Sequence, residues 1–211
     1  LRAIMRAGLE GPTRILLPMI SNLDELRQAR ALLEEAVEEL RAKGQVFAED
    51  CKLGIMVEVP SMALMSDLFA SEVDLLSLGT NDLIQYTLAV DRLNERVAHM
   101  YDPAHPALLK LIQLTVDAGK KNGIWTGICG EMAGDPALVP LLLGMGIDEL
   151  SVAPPMLPQI KHLIRHLKID EARELTESAL CAEDSNDIKA RARTLVQRVA
   201  PGLFESQTTG R

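Results

Sequence analysis

Five positions in this chain could carry chemistry, and they are Glu58, Asn81, Asp82, Arg92 and Cys129. All but Arg92 sit where an apolar run ends. Glu58 closes the run that begins at Gly54, Asn81 and Asp82 follow the run from Val73 to Leu78, and Cys129, with Glu131 close behind, ends the run from Ile124. In parallel α/β folds the carboxyl ends of the strands form the reactive face. A carboxylate inside an apolar strand is costly unless something pairs with it. Two carboxylates at adjacent strand ends can share one hard cation, and Mg²⁺ suits them because it takes one or two carboxylates, several waters and a phosphorylated substrate. The Cys129 thiol is therefore expected to open into a pocket shared with Glu58 and Asp82.

Each residue also has a plainer use. Glu58 could close a buried salt bridge, and Asp82 could cap a helix. Cys129 could be a small buried hydrophobe, and Arg92, in Asp91-Arg92-Leu93-Asn94, could make a surface ion pair. The flanking Gly127 and Gly130 suggest a close approach to the backbone at Cys129. His99, His105, His162 and His166 show neither nucleophile nor metal spacing. His162 and His166 are four apart on a helix but lack an HExxH pattern, and read as surface residues.

The elements that must hold these residues alternate. Arg14 to Ile20 reads as a strand, and Ser21, Asn22, Asp24 and Glu25 supply overlapping helix-start signals. Leu26, Ala29, Leu33, Val37 and Leu40 then share one helical stripe, with Gly44 as its stop. Further strands are expected over Leu53 to Val59, Val73 to Leu78, Ile124 to Cys129 and Asp148 to Val152. Helices are expected over Met62 to Ala70, after Gly79-Thr80-Asn81-Asp82 through Val90, from Pro106 to about Lys121, up to Met145 and up to Leu167. The strands are apolar on both faces, as in sheets covered on both sides. Such alternation predicts parallel strands with right-handed helical crossovers. After Asp170 only helices remain, about Glu171 to Leu180 and Ile188 to Val199, and the tail from Ser206 to Arg211 is expected to fray.

Composition narrows the classes. The net charge of −8 and 3% aromatic content argue against nucleic-acid binding. No apolar run approaches the roughly 18 residues of a membrane helix. Three cysteines without metal spacing fit a reduced, cytoplasmic setting. The first residue is Leu1, which predicts a start inside a longer protein.

Several segments together resemble the phosphoenolpyruvate-binding domain of Enzyme I, the phosphoenolpyruvate–protein phosphotransferase of the bacterial phosphotransferase system. They are LPMI (Leu17 to Ile20), GIMVEVPS (Gly54 to Ser61), LGTNDLIQYTLAVDR (Leu78 to Arg92), YDPAHP (Tyr101 to Pro106), GICGEMAGDP (Gly127 to Pro136) and LLLGMGIDELS (Leu141 to Ser151). The resemblance covers Leu1 to about Leu167. It implies an α/β fold, a parallel (β/α) TIM-type barrel of the phosphoenolpyruvate/pyruvate-binding superfamily. Only the last five of its eight strands would be present over residues 1–167, followed by a C-terminal helical extension over 168–211. Glu58 and Asp82 would be Mg²⁺ ligands, Asn81, Asp82 and Arg92 would bind phosphoenolpyruvate, and Cys129 would be the general acid that protonates the enolate as pyruvate forms. A thiol with a pKa of about 8.5 can carry that proton near neutral pH.

The family also implies a histidine in a domain outside this chain, a phosphocarrier protein as partner, a homodimer, and a role in sugar transport. The Glu58-to-Met62 wording is similar to the nitrogen-related paralogue, so the branch stays open. Leu93 departs from the small residue usual after the family's Arg, which puts the pose of Arg92 in question. The fragment alone is expected to be inactive. A non-catalytic dimerisation module and a metal-dependent carbon–carbon lyase on a related barrel are the competing readings. Five strands cannot close a barrel that needs eight. An open arc is therefore expected, with inner residues such as Ile55, Val57, Leu76 and Leu78 left for a neighbouring chain to cover.

Overall fold

The alternation resolves into one parallel sheet of five strands. The structure, a computed structural model, describes residues 1–204; the expectation for Ser206 to Arg211 lies outside the described residues. In chain order the elements are α1 (Arg2–Ala7), β1 (Arg14–Leu17), α2 (Leu23–Ala42), β2 (Lys52–Val57), α3 (Pro60–Leu64), α4 (Ser66–Ala70), β3 (Leu75–Gly79), α5 (Thr80–Leu88) and α6 (Pro106–Asn122). They continue with β4 (Trp125–Cys129), α7 (Val139–Met145), β5 (Glu149–Leu150), α8 (Leu157–His166), α9 (Ile169–Leu180) and α10 (Ser185–Val199). The strands lie in sequence order, each parallel to the next, and β1 and β5 form the two edges.

Local chemistry sets the boundaries. β1 stops at Leu17, short of the expected Ile20, because Pro18 has no N–H and Met19 takes a left-handed backbone (φ 55). α2 starts at a reciprocal cap: the Asn22 side chain accepts from Glu25 N–H at 3.0 Å, and Glu25 accepts from Ser21 N–H at 2.7 Å. The helix expected over Met62 to Ala70 divides at Met65 (φ −107, ψ 17). β5 shrinks to two residues, although Asp148 N–H and Ser151 N–H still donate to the carbonyls of Thr126 and Ile128.

An aspartate precedes two of the strands and pins the neighbouring strand's entry. Asp74 accepts from Leu53 N–H at 2.9 Å, and Asp148 accepts from Thr126 N–H at 2.8 Å. The same two residues donate their own N–H groups back to Leu53 and Thr126 carbonyls. These reciprocal pairs satisfy main-chain groups at the foot of the sheet and fix register there.

Register also corrects an expectation. Ile55 pairs with Leu76, and Val57 pairs with Leu78 and through it with Ile128. This row lies under the helices: Ile55, Val57, Leu76 and Leu78 are all 0% exposed. They are not the inner face awaiting a neighbour. The period of two puts Leu16, Met56, Leu75, Ser77, Gly127 and Trp125 on the opposite face. Leu16, Met56, Ser77 and Trp125 on that face are partly exposed. There the Arg14 guanidinium stands 4.7 Å from the centre of the Trp125 ring. Side chains from β1 and β4, three strands apart, meet only if the sheet curls toward this face, so this is the concave side. The C-terminal helices share the main core, to which Ala179 of α9 and Ile188 of α10 contribute.

The two faces should respond differently to truncation. Leu76→Ala is expected to cost about 2–5 kcal/mol. Met56→Ala, on the concave face, should cost about 1 kcal/mol or less in urea unfolding of the same protein. Equal costs would reject this assignment of faces.

Candidate active site

The concave face ends at Glu58, the residue after β2. It is 4% exposed. One carboxylate oxygen accepts from Met19 N–H at 2.7 Å, so the turn after β1 aims a main-chain donor at it. The other oxygen lies against Gly79, where an added Cβ would sit 2.7 Å away. Burial pushes the Glu58 carboxyl above its ordinary range, the Met19 bond opposes the shift, and the nearby Asp82 charge adds to it. Among the described residues no cation contributes, so the salt-bridge use of Glu58 is not the one found there. The helix-cap use of Asp82 fails as well. Gly79 is the N-cap of α5, and Asp82 stands in the first turn, where the helix dipole favours its charge.

Asn81 and Cys129 are drawn together by the β3 and β4 ends. Thr80 Oγ1 donates to the Cys129 carbonyl at 2.8 Å, and Asn81 Oδ1 accepts from Glu131 N–H at 3.1 Å. Gly130 permits this contact. It has φ 91, and a Cβ there would meet Thr80 Oγ1 at 2.5 Å and Asn81 Oδ1 at 2.9 Å. The crowding at Gly130 thus comes from the chain's own β3–α5 turn. Gly127 has nothing of the described chain nearer than 3.8 Å to an added Cβ, so the chain itself does not crowd it.

The Cys129 thiol is half-buried and lies 3.4 Å from the Leu78 carbonyl. Burial pushes it above the ordinary thiol range; a hydrogen bond with Ser77 opposes this, and the Glu58 and Asp82 charges add to it. The thiol therefore keeps its proton near neutrality. It lines a cleft of about 810 Å³ together with Asn81, Gly130, Glu131, Ser151 and Arg193. Glu58, Asp82 and Arg92 are not among the walls of that cleft. The pocket expected to join Cys129 with Glu58 and Asp82 is therefore not this cleft, which takes in the thiol and Asn81, and the two carboxylates act on the thiol only through their charge.

Arg92 makes the surface ion pair that was its plainer use, with Nη1 3.4 Å from a Glu131 carboxylate oxygen. Leu93 is 85% exposed, and its N–H donates to Asp91. Its backbone is not left-handed, so a larger residue than the family's fits this turn without strain.

Tyr101 completes the cluster. Its hydroxyl lies 3.4 Å from the Asn81 carbonyl, and its pKa is pushed up to about 12 by burial and the Glu131 charge, against the pull of Arg92. Sequence reasoning placed Tyr101 only in a matching segment and left Glu131 outside the candidate set. No spacing connects residues 92, 101 and 131. Among the described residues no group of three or more His, Cys, Asp or Glu is arranged to hold a metal, and no helix is long and apolar enough to cross a membrane.

Comparisons with known proteins point one way. A family model described as "PEP-utilising enzyme, PEP-binding domain" matches residues 1–169. A phosphoenolpyruvate-protein phosphotransferase of Staphylococcus carnosus is 47% identical over 188 residues, 89% of this chain and 33% of that protein. The enzyme of the same name from Latilactobacillus sakei is 46% identical over 187 residues, again 89% of this chain and 33% of the relative. The chain thus spans about a third of the length of the curated relatives it matches. A solved citrate lyase from Burkholderia xenovorans superposes with a TM-score of 0.57 at 19% identity, covering 100% of this chain and 67% of the lyase. At that identity it speaks for the fold alone, an α/β parallel sheet of the barrel type.

Alkylation should expose the difference between the thiols. At pH 8, iodoacetamide is expected to modify exposed Cys181 well before Cys129, and Cys129 should label faster as pH rises past the range of a free thiol. Mass spectrometry of tryptic peptides reads both rates. Equal labelling of the two at pH 8 would reject the protonated Cys129.

Proposed function

We propose, from the premise that this chain belongs to the PEP-binding-domain family of PEP-utilising enzymes, that it binds phosphoenolpyruvate and supports phosphoryl transfer to a histidine elsewhere in a longer protein. The activity is that of a phosphoenolpyruvate–protein phosphotransferase. The observation that supports this reading most is the buried Glu58 carboxylate, with no cation beside it among the described residues, near Asp82 and a thiol that keeps its proton.

The donor set fits Mg²⁺. Among the described residues the two carboxylates have no neutralising cation and no third ligand group beside them, so the remaining positions would fall to water and substrate oxygens. Glu58 and Asp82 would hold the ion, which when bound would offset charge on the phosphate and the developing enolate. Arg92 presents a guanidinium suited to bidentate contact with the substrate's phosphate. Asn81, with Oδ1 taken by Glu131 N–H, offers its amide N–H donors to the substrate.

As the bond from phosphorus to the enol oxygen breaks, the phosphoryl group passes to the histidine nitrogen and the electron pair stays on oxygen. Cys129 Sγ–H gives its proton to the methylene carbon, pyruvate forms, and the thiolate recovers a proton from water. In this reading residues 1–167 are the partial barrel, followed by a C-terminal extension from residue 168 that carries α9 and α10. The rest of the barrel, the histidine domain and contact with a phosphocarrier protein belong to the remaining length of the protein. The unpaired edges of β1 and β5 support association with another chain or segment, including a homodimer. The setting is cytoplasmic. The 211 residues alone are expected to turn over no substrate.

Cys129→Ala in the full-length protein should leave the Kd for Mg-phosphoenolpyruvate within about twofold and lower turnover by about 10²–10⁴-fold. Because the acid form acts, the wild-type rate should hold below the raised thiol pKa and fall as pH climbs through it. Unchanged phosphotransfer in the variant would remove Cys129 from this role. Glu58→Gln should abolish Mg²⁺-dependent substrate binding. It should also raise the Tm of the metal-free protein by roughly 2–4 °C, since a neutral amide keeps the Met19 bond and sheds about 1 kcal/mol of buried charge.

A further inference from the structure

Glu131 touches both residues that the reading above assigns to anion binding, by two different groups. Its main-chain N–H holds Asn81 Oδ1 at 3.1 Å. Its carboxylate stands 3.4 Å from Arg92 Nη1. It also lines the cleft with Cys129 and Asn81, and its charge reaches the Tyr101 hydroxyl that rests on the Asn81 carbonyl.

The two contacts differ in kind. The main-chain bond is seated on Gly130, where no Cβ fits, so it fixes the Asn81 amide through its oxygen. The ion pair lies at the surface, with the Arg92 side chain 37% and the Glu131 side chain 79% exposed. At 3.4 Å it is a long contact in high dielectric, and pairs of this kind are readily exchanged. A phosphate presents more charge and a geometry that a guanidinium can grip with two parallel N–H groups.

We propose that Glu131 is a positioning residue for phosphoenolpyruvate. Its main chain sets the Asn81 amide, and its carboxylate parks Arg92 beside the cleft until the substrate phosphate displaces it. The parked state competes with substrate, so the carboxylate keeps affinity below what Arg92 alone would give, and the apparent Kd is raised by the fraction of Arg92 held back. The inference rests on the assignment of this site to phosphoenolpyruvate.

The test is calorimetric titration of the full-length protein with Mg-phosphoenolpyruvate. Glu131→Gln keeps the main-chain bond and removes the competing charge, and it should tighten binding by about two- to fivefold. The gain should shrink at 0.5 M salt, where the pair is already screened. In an Arg92→Gln background, Glu131→Gln should change nothing, because there is no guanidinium to release. Unchanged or weaker binding in Glu131→Gln overturns the proposal, as does an equal change in both backgrounds. If wild-type protein binds no Mg-phosphoenolpyruvate at all, it is the assignment of the site that fails, which sets that outcome apart from failure of the Glu131 role.

Discussion

A carboxylate removed from water governs the geometry around it. Glu58 sits at the end of a central strand with almost no exposure, and it is tolerable there only because its surroundings are built to receive it. Met19 adopts a left-handed backbone, uncommon outside glycine, in the turn that supplies the hydrogen bond. Gly79 is the residue that leaves room for the second oxygen. The end of β1, the end of β2 and the start of α5 are thus tied to one side chain. That side chain remains incompletely neutralised, with Asp82 making its charged form less favourable still. A fold aiming only at stability gains little from this arrangement, whereas one that recruits a cation needs it.

The alternation of strands and helices was legible in the sequence because each element carries its own signal. The Asn22–Glu25 cap, the Gly44 stop and Pro106 at the first position of α6 are local chemistry, and the helices begin and end at or near them. The sheet faces were not legible. β2 reads Lys52-Leu-Gly-Ile-Met-Val57 and β3 reads Leu75-Leu-Ser-Leu-Gly79, apolar on both sides with small residues interspersed, so no alternation of polarity says which row meets the helices. The decision comes from register, fixed partly by Asp74 and Asp148 at the strand entries, and register is a property of pairs of strands. Gly54, Ser77 and Gly127 fall on the concave side together with Leu16, Met56, Leu75 and Trp125, while Ile55, Val57, Leu76 and Leu78 fall outward beneath the helices.

The candidate site divides along the same line. Glu58, Asn81, Asp82 and Cys129 could be picked out from sequence because strand ends in a parallel sheet converge, whatever the loops do. Glu131 shares the strand-end position, but its link to Asn81, like that of Tyr101, is a tertiary contact across 20 residues or more that no spacing announces. Gly130 was a partial signal. Its presence beside Cys129 did mark a close approach, but by Thr80 and Asn81 of the same chain.

Burial then sorts the site's residues by how far each can respond to a ligand. Glu58 and Cys129 are held by main-chain contacts at strand ends, and moving either would disturb the sheet. Arg92 and Glu131 lie in segments that follow α5 and β4, at the surface, joined by a contact weak enough to exchange. Reaction at a substrate carbon demands a proton donor that does not wander, because a misplacement of about 1 Å can cost on the order of a hundredfold in rate. Capture and release of a multiply charged anion demand the reverse, a cation that can leave one carboxylate for another acceptor and return. Under the proposed function, the rigid groups stand on the sheet and the exchangeable pair stands above it, so the site would meet both requirements without either compromising the other.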